Sequence, residues 1–332
     1  MKTPRLMVAL AAGVGAATLA LAGCGGSNDP DPDSSGTTSD SFTIGVAVIV
    51  DHPSLQLIRD GLADYLAEQG VQVRYIDENA QGETSNAAAI AASFASNDQL
   101  DLIVAISTPI AQAIVQMERD RPIVFAGVTD PVSTGLVPSW EASGTNVTGT
   151  SDLNPNAKPI GLIHEVLPDA TTIGVLYSSS EANSGVQVEA YKAEAAELGL
   201  TIRESAITNS SEIASGIQAL ADVDAVIVPT DNTVVAAFAT VIAFGQQNQL
   251  PIFSADAESV SQGTIATRGI SYYELGRHTG EMAHRILVQG VAPGTIPPLV
   301  VQETELKVNP ESAELMGVTL SQSLLRDATV VS

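Results

Sequence analysis

Asp101-Leu-Ile-Val-Ala-Ile-Ser107-Thr108-Pro109 is a short apolar run that ends in hydroxyl groups, and a second run of the same design follows as Asp224-Ala-Val-Ile-Val-Pro-Thr230-Asp231-Asn232. Continuous runs rich in Val and Ile are typical of parallel strands that are covered on both faces. In each run, polar residues follow the strand where a helix should begin. Ligands of open α/β sheets bind outside the carboxyl ends of the strands. Two such strand ends predict two lobes with a ligand between them.

The second half of the chain repeats the first at a near-constant spacing. Strand-like and helix-like segments alternate in both halves, which predicts parallel sheets with right-handed crossovers. The predicted fold class is therefore α/β, with two Rossmann-like parallel-sheet lobes joined by a hinge of several strands. Three pairs of equivalent motifs are each 129 residues apart: Ile44-Gly45-Val46 with Ile173-Gly174-Val175, Gln69-Gly70-Val71 with Leu198-Gly199-Leu200, and Pro122-Ile123 with Pro251-Ile252.

The boundaries of the lobes follow from the segments that link the two halves. Residues 144–150 and 263–269 are rich in β-branched residues and bounded by glycines, and we expect both to cross between the lobes as hinge strands. A helix over 272–289 should return to the first lobe, and 300–308 should form a final strand. The predicted domains are a signal peptide (1–23), a lipidated cysteine and disordered tether (24–41), a first lobe (42–150 plus about 271–299), a second lobe (151–270 plus about 300–308) and a C-terminal tail (309–332) whose lobe is left open.

The first residues are typical of a secretory signal. Lys2 and Arg5 flank the start of a short apolar run that ends in Leu21-Ala22-Gly23-Cys24. This ending resembles a bacterial lipobox, which implies that Cys24 is lipidated and becomes the mature N-terminus. An ordinary signal peptide with an incidental cysteine is the alternative. Residues 25–41 are rich in Gly, Ser, Asp and Pro, so we expect a disordered tether.

Composition excludes several classes of function. The formal charge is −24, and becomes −26 when Lys2 and Arg5 leave with the signal peptide, so the surface should repel nucleic acid and anionic lipid headgroups. Cys24 is the only cysteine, which excludes an internal disulfide and a thiolate metal cluster. No other segment is long and apolar enough to span a bilayer. We therefore expect a protein on the extracytoplasmic face that is held at the cell membrane by its lipid alone.

Catalytic signatures are missing from the sequence. It contains no G-x-S-x-G elbow, no Walker loop and no C-x-x-C motif. His278 and His284 lie six residues apart, about 240° around a helix, whereas a helical H-E-x-x-H zinc site needs a spacing of four. The chain is predicted not to be an enzyme and to need no cofactor or metal. We expect surface or packing roles for all four histidines: His52, His164, His278 and His284.

Seven motifs in order carry a resemblance to a known family. The chain resembles a bacterial ABC-transporter solute-binding lipoprotein of the family that includes tryptophan- and tyrosine-type receptors, which implies a type I periplasmic-binding-protein fold and an ABC permease as partner. The resemblance covers roughly residues 42–328. The motifs are Ser107-Thr-Pro-Ile-Ala-Gln112, Phe125-Ala-Gly-Val-Thr-Asp-Pro131, Asn146-Val-Thr-Gly-Thr-Ser-Asp152, Glu181-Ala-Asn-Ser184, Pro229-Thr-Asp-Asn232, Glu274-Leu-Gly-Arg277 and Val308-Asn309.

Candidate ligand residues of the first lobe follow two strands. Ser107 and Thr108 precede a helix whose N-terminal amides would bind a carboxylate, although Thr108 also suits the N-cap position before Pro109. Thr129 and Asp130 follow the next strand at the same rim, where the alternative is a turn, because Asp-Pro commonly begins one.

Candidate ligand residues of the second lobe are mostly carboxylates. Asp231 is the strongest, because no Lys or Arg lies within 224–246 to neutralise it, and a buried carboxylate needs a cation. Its alternative role is the N-cap of a helix over 233–249. We expect Asp231→Asn to cost about 2–5 kcal/mol of affinity. Asp152, beside the first hinge, serves the ligand or caps a helix over 155–166. Asn183 and Asp256 complete the predicted site.

Hydroxyls and helix amides on one lobe, with carboxylates on the other, predict a receptor for a small zwitterion such as an amino acid. The resemblance implies an aromatic ligand side chain in some members. The lobes of a monomer would close on the ligand about the hinge and present it to the permease. Three alternatives stay open: a lipid-anchored ligand sensor that is not coupled to transport, a sugar receptor of the same fold, and a lipid-anchored enzyme built on the two lobes.

Overall fold

The two repeated apolar runs form buried strands, Leu102–Ile106 and Ala225–Val228, in two different parallel sheets. The structure is a computed structural model that describes residues 41–153 and 157–332. The predicted signal peptide, Cys24 and all of the predicted tether except Ser41 lie outside the described residues. Among the described residues, no helix has the length and apolar character needed to cross a membrane.

The first sheet has six parallel strands in the order β11-β5-β4-β3-β1-β2. These strands are β1 (Ser41–Val48), β2 (Gln72–Asn79), β3 (Leu102–Ile106), β4 (Ile123–Ala126), β5 (Val147–Ser151) and β11 (Leu299–Val300). The helices that accompany them are α1 (Pro53–Glu68), α2 (Thr84–Ala95), α3 (Thr108–Met117) and α10 (Tyr272–Leu287).

The second sheet repeats this order with four parallel strands, β7-β6-β8-β9. These strands are β6 (Thr172–Ser178), β7 (Thr201–Ile207), β8 (Ala225–Val228) and β9 (Ile252–Ser254). The remaining helices are α4 (Pro159–Val166), α5 (Ala182–Leu198), α6 (Ile213–Gln218), α7 (Asn232–Val235), α8 (Phe238–Asn248), α9 (Glu258–Ser261), α11 (Pro310–Leu315) and α12 (Gln322–Asp327). A third sheet contains β10 (Ala266–Gly269), β12 (Glu305–Val308) and β13 (Thr329–Val330).

Each large sheet has its own hydrophobic core, and we call these two halves the first and second lobes. Helix α10 packs into the first core through Leu275 and Ile286. The C-terminal segment packs into the second core through Met316 and Leu324. The chain therefore passes between the cores more than once, as expected of a hinge of several segments.

Three elements differ from the sequence-based expectations. Residues 144–150 were expected to cross between the lobes, but from Val147 they belong to β5, which pairs in parallel with β4 in the first sheet. The single final strand expected over 300–308 is two strands, because β11 ends the first sheet and β12 pairs antiparallel with β10. The helix expected over 233–249 is divided into α7 and α8, where Ala237 has φ −120° and ψ 29°.

The repeated aspartates that begin the two apolar runs have the same role in both lobes. The Asp101 carboxylate accepts a hydrogen bond from the Thr43 N–H (2.7 Å) at the start of β1. The Asp224 carboxylate accepts hydrogen bonds from the N–H groups of Thr171 (2.8 Å) and Thr172 (2.9 Å) at the start of β6. These N–H groups hold the pKa of Asp224 below its usual range. Each carboxylate thus fastens one central strand to its neighbour.

Helices α1 and α10 approach closely at two glycines. A Cβ atom on Gly276 would lie 2.3 Å from the Ile58 carbonyl oxygen, and one on Gly61 would lie 2.2 Å from the Tyr273 carbonyl oxygen. Real Cβ atoms do not approach other atoms so closely, so these positions admit only glycine without a shift of the helices. The contact fixes the N-terminus of α1, which reaches the space between the lobes.

Candidate ligand-binding site

One cavity between the lobes contains almost all of the predicted ligand residues. It has a volume of about 340 Å³, part of which is open to solvent. Seven of the eight predicted ligand residues line it: Ser107, Thr108, Thr129, Asp152, Asn183, Asp231 and Asp256. Five further polar lining residues were not predicted: His52, Ser54, Thr230, Asn232 and Tyr272.

Asp130 is absent from the described lining of this cavity. Its Oδ1 accepts hydrogen bonds from the N–H groups of Val132 (3.0 Å) and Ser133 (3.1 Å). The carboxylate therefore stabilises the turn that follows β4, which was the alternative role considered for the Asp-Pro pair.

The first lobe contributes the N-terminus of α3. Ser107 is the N-cap, with a positive φ of 87°, and Thr108 is the first helical residue, so the N-cap role considered for Thr108 is wrong by one position. The Ser107 N–H donates to the Ala126 carbonyl oxygen (2.8 Å), which ties this turn to β4. Both hydroxyl groups are buried and have no hydrogen-bond partner among the described residues. Free hydroxyls beside the N-terminal amides of a helix suit an anionic group.

Asp152 follows β5 and carries a free carboxylate oxygen. Its Oδ2 accepts a hydrogen bond from the Tyr272 hydroxyl (3.2 Å), while Oδ1 is buried and has no partner within the described part of the chain. Burial raises the pKa of Asp152, and the hydrogen bond from the Tyr272 hydroxyl partly opposes this. A cation in the cavity would favour the ionised form of this carboxyl group.

Asn183 offers a second free acceptor. Its Nδ2 donates to the Thr230 carbonyl oxygen (2.8 Å) and to Glu181 Oε2 (3.1 Å), which fixes the amide orientation. Its Oδ1 is buried and has no partner among residues 41–153 and 157–332. The second lobe therefore presents an oriented, unpaired oxygen to the cavity.

Asp231 and Asp256 differ from Asp152, because donors of the protein already occupy their carboxylates. Asp231 accepts hydrogen bonds from the Val234 N–H (2.9 Å), which makes it the N-cap of α7, and from the Ser178 N–H and the Ser184 hydroxyl (both 2.6 Å). Burial, followed by the charge of Glu181, raises the pKa of Asp231 to about 7. Asp256 accepts from the Ser54 hydroxyl of the first lobe (2.8 Å) and from the N–H of Ser259 (3.0 Å).

Glu181 adds a further buried carboxylate behind the cavity wall. It accepts hydrogen bonds from the N–H groups of Asn232 (3.1 Å) and Thr233 (2.8 Å) at the start of α7. The described residues that line the cavity include no Lys or Arg. Several buried carboxyl groups around a space without cations create a negative potential, which favours a positively charged ligand group.

His52 was expected at the surface or in a packing role, and the structure places it in the cavity wall instead. It is the N-cap of α1 and is 9% exposed. Its Nδ1 has no partner among the described residues, and burial lowers the pKa of the imidazole. The sequence does carry a signal for His52, because His52-Pro53 follows β1 as Thr108-Pro109 follows β3.

A second, larger cavity adjoins the first, and its volume is about 1050 Å³, part of which is open to solvent. The two cavities share Thr129, Asp152, Thr230 and Tyr272 among their lining residues. Helix α5 contributes Tyr191 to the wall of the second cavity. A ligand bound at Asp152 therefore has adjacent space for a side chain.

Comparisons with known proteins agree over nearly the whole described chain. Residues 43–332 match the model of a family described as ABC transporter substrate binding protein. The chain is 37% identical over 280 residues to a tyrosine-binding protein of Clostridioides difficile (strain R20291), which covers 83% of this chain and 81% of the relative.

Two solved structures give a comparison of conformation. One is an ABC domain from Streptococcus pneumoniae in complex with L-Trp, which is 38% identical, with a TM-score of 0.84 over 88% of this chain and 100% of that chain. The other is the ligand-free, open structure of a substrate binding protein with adhesive properties from Clostridium difficile. It is 37% identical, with a TM-score of 0.66 over 88% of this chain and 99% of that chain. The identities and coverages differ by no more than one percentage point, yet the TM-score is higher with the L-Trp complex, so the arrangement of this chain is closer to that structure.

Proposed function

The chain belongs to the ABC transporter substrate-binding protein family, and from this membership we propose that it is the receptor of an importer and binds an amino acid between its two lobes. The matches confirm the resemblance seen in the sequence, the type I periplasmic-binding-protein fold and the prediction that the chain is not an enzyme. Proteins of this family bind small molecules on the extracytoplasmic side of the membrane.

One observation carries the proposal for the ligand: unpaired polar atoms concentrate in the cavity. Leaving a buried polar group unpaired costs about 1–3 kcal/mol, so these atoms imply polar groups that arrive with a ligand. Seven buried side-chain atoms lack a hydrogen-bond partner within the described ranges. Five of them belong to residues that line the cavity: His52 Nδ1, Ser107 Oγ, Thr108 Oγ1, Asp152 Oδ1 and Asn183 Oδ1.

The chemistry of these atoms favours a zwitterion. We propose that the ligand carboxylate accepts hydrogen bonds from the hydroxyls of Ser107 and Thr108 and from the first amides of α3. The ligand ammonium would donate to Asp152 Oδ1 and Asn183 Oδ1, which are free acceptors. Asp231, Asp256 and their neighbour Glu181 would act on the ammonium through their charge, since their oxygens already accept hydrogen bonds from the protein.

We propose that the second cavity holds an aromatic side chain of the ligand. The relatives named above include a tyrosine-binding protein and a complex with L-Trp. In this chain the second cavity lies beyond Tyr272 and carries Tyr191 on its wall, and both rings offer apolar surface to an aromatic group. A sugar is the weaker candidate, because sugar hydroxyls do not offset the charge of several buried carboxyl groups.

Two features support a closed conformation. The Ser54 hydroxyl of the first lobe donates to Asp256 Oδ1 of the second, a hydrogen bond that requires the lobes to meet. The TM-score is also higher with the L-Trp complex than with the ligand-free, open structure. In the proposed mechanism, the ligand bridges the lobes and favours this form by its greater affinity for it.

The lipid anchor and the importer are part of the proposal and rest on the sequence and on the family. Replacing Cys24 by Ser should release the protein from the membrane fraction of its host. Deleting the gene for this protein in its host should abolish uptake of the radiolabelled ligand. If uptake is normal in the deletion strain, the receptor is a sensor and not part of an importer.

A thermal-shift screen of residues 25–332 tests the ligand class. The ligands are the common L-amino acids, their amides and N-acetyl derivatives, and a panel of sugars. A true ligand at a hundredfold excess over Kd stabilises the folded state by about 2.7 kcal/mol. We expect a shift with L-tyrosine or L-tryptophan that is lost with both blocked derivatives, reduced in Ser107→Ala, and kept in the control Asp130→Asn. A shift with sugars alone would refute the zwitterion.

A further inference from the structure

His52 reaches the ligand cavity from the first lobe and meets the second lobe there. It precedes Pro53 at the start of α1, two residues before the Ser54 hydroxyl that bridges the lobes. On the opposite side, Asn232 of α7 lines the same cavity. The ring is therefore enclosed only when the lobes meet.

The unpartnered nitrogen of His52 is the atom that a ligand can reach. His52 is 9% exposed, and its Nδ1 is buried and has no hydrogen-bond partner among the described residues. A neutral imidazole carries one N–H donor and one bare acceptor nitrogen. In the tautomer with its proton on Nε2, Nδ1 is a bare acceptor in the cavity wall.

We propose that His52 is a ligand-binding residue that accepts a hydrogen bond at Nδ1 from the ammonium group of the ligand, so that protonation of His52 weakens ligand binding. This inference rests on the amino-acid ligand proposed above. A neutral imidazole adds a third acceptor to Asp152 and Asn183 and thus completes the set that a primary ammonium, with its three N–H groups, requires. An imidazolium has no lone pair at Nδ1 and repels the ammonium.

The surroundings of His52 decide the sign of the pH dependence. Burial lowers the pKa of the ring, opposed by Asp256 and Glu181 of the second lobe and by Asp51 on its own loop. Asp152 and Asp231 line the same cavity. When the lobes separate, water reaches the ring and its pKa returns toward about 6.5. The closed form therefore binds fewer protons than the open form, and affinity is full above about pH 6.5 and falls below it.

The test is calorimetric titration of residues 25–332 with L-tyrosine and L-tryptophan at pH 7.5, 6.5 and 5.5. For a group of pKa near 6.5, Kd of the unaltered protein should rise about tenfold between pH 7.5 and 5.5. His52→Ala should bind about tenfold more weakly at pH 7.5 and lose most of the rise. His278→Ala is the matched control, because that ring lies on the exposed side of α10 with its side chain 42% accessible, and it should match the unaltered protein.

A second variant separates a ligand contact from a loss of folding. His52→Asn places an amide oxygen near the position of Nδ1 but does not titrate, so it should keep most of the affinity at pH 7.5 and lose the rise. Residual pH dependence in both variants would report Asp231, whose pKa lies near 7. The inference is overturned if His52→Ala binds normally at pH 7.5 or if both variants keep the full rise. If the unaltered protein binds neither amino acid, the proposed function fails with it.

Discussion

Replacing Asp152 by Asn should change affinity and stability in opposite directions. The substitution preserves the size of the side chain and an oxygen that can accept the hydrogen bond of the Tyr272 hydroxyl (3.2 Å). It removes the negative charge of the carboxylate, whose Oδ1 has no partner among the described residues. Truncating one partner of a buried charge pair costs about 2–5 kcal/mol of affinity, so Kd should rise at least about 30-fold at 1.4 kcal/mol per decade.

The ligand-free protein should become more stable, because an unpaired buried carboxylate disappears. Burial raises the pKa of Asp152, so the folded state holds its proton more tightly than the unfolded state does. In the unaltered protein the resulting penalty is largest above the raised pKa and shrinks as the pH falls through it toward the unfolded value of about 3.9. The variant should therefore gain about 1 kcal/mol at pH 7.5 and lose this advantage in acid.

Calorimetric titration and thermal unfolding of the same samples at pH 7.5 and 4.5 measure both effects. Asp231→Asn is the matched variant. Its Oδ1 accepts the hydrogen bond that caps α7, and an amide oxygen can keep that cap. Its Oδ2 accepts from the Ser178 N–H and the Ser184 hydroxyl. The amide places an NH2 group against these two donors, so stability should fall by about 1–2 kcal/mol. If Asp231→Asn instead weakens binding more than Asp152→Asn and leaves stability unchanged, the assignment of the ammonium to Asp152 is refuted.

Three further substitutions test the closed form, the helix contact and the strand clamp. Ser54→Ala removes the 2.8 Å hydrogen bond to the second lobe. A hydrogen bond of about 1 kcal/mol corresponds to about fivefold weaker ligand binding, and ligand dissociation should be faster in stopped flow. An unchanged dissociation rate would show that this bond does not stabilise the closed form. Gly276→Ala should lower the free energy of unfolding by about 2–3 kcal/mol, because the added Cβ forces α1 and α10 apart. The control is Gly185→Ala, whose added Cβ meets no atom within 4 Å and should stabilise α5 by up to about 1 kcal/mol. Equal melting temperatures of the two variants would refute the close contact of α1 with α10. Asp224→Asn should lower stability by about 0.5–1 kcal/mol, a value reduced for the exposure of the side chain. Because the pKa of Asp224 is lowered in the folded state, the stability difference between the variant and the unaltered protein should shrink and vanish as the pH falls below about 3.9. A stability difference that persists in acid would exclude the carboxylate as its source.

Most of the candidate site could be predicted, because ligands bind at the carboxyl ends of parallel strands and buried parallel strands can be recognised in a sequence as continuous apolar runs. The runs before Ser107 and Asp231 are continuous and apolar, and such strands end at the edge of the sheet where ligands bind. Asp130 also follows a strand, but it does not line the cavity. It lies before a proline, and its carboxylate accepts hydrogen bonds from the N–H groups of the turn that follows. A residue at the correct edge is therefore a candidate only when nearby N–H groups leave its side chain free.

The position of Tyr272 does not follow from any strand end. Its place in the cavity depends on how the two lobes meet, which leaves no periodic trace in the sequence. The division of residues 300–308 between two sheets has the same origin, because β11 pairs with β5 of the first sheet and β12 with β10 of the third. Patterns along the chain specify each lobe well, whereas contacts between segments distant in sequence specify the hinge and the ligand cavity.

Ser107 combines a strained backbone with a proposed ligand contact, and two substitutions at this position can separate the two effects. A non-glycine residue with φ 87° costs about 1–3 kcal/mol, and the position keeps a side chain whose hydroxyl has no partner among the described residues. Ser107→Gly should relieve the strain and raise the melting temperature of the ligand-free protein, while the lost hydroxyl weakens binding. Ser107→Ala should weaken binding equally without the gain in stability, because alanine keeps the strain. If Ser107→Gly binds the ligand with normal affinity, the Ser107 hydroxyl is not a ligand contact, and the α3 amides alone bind the ligand carboxylate.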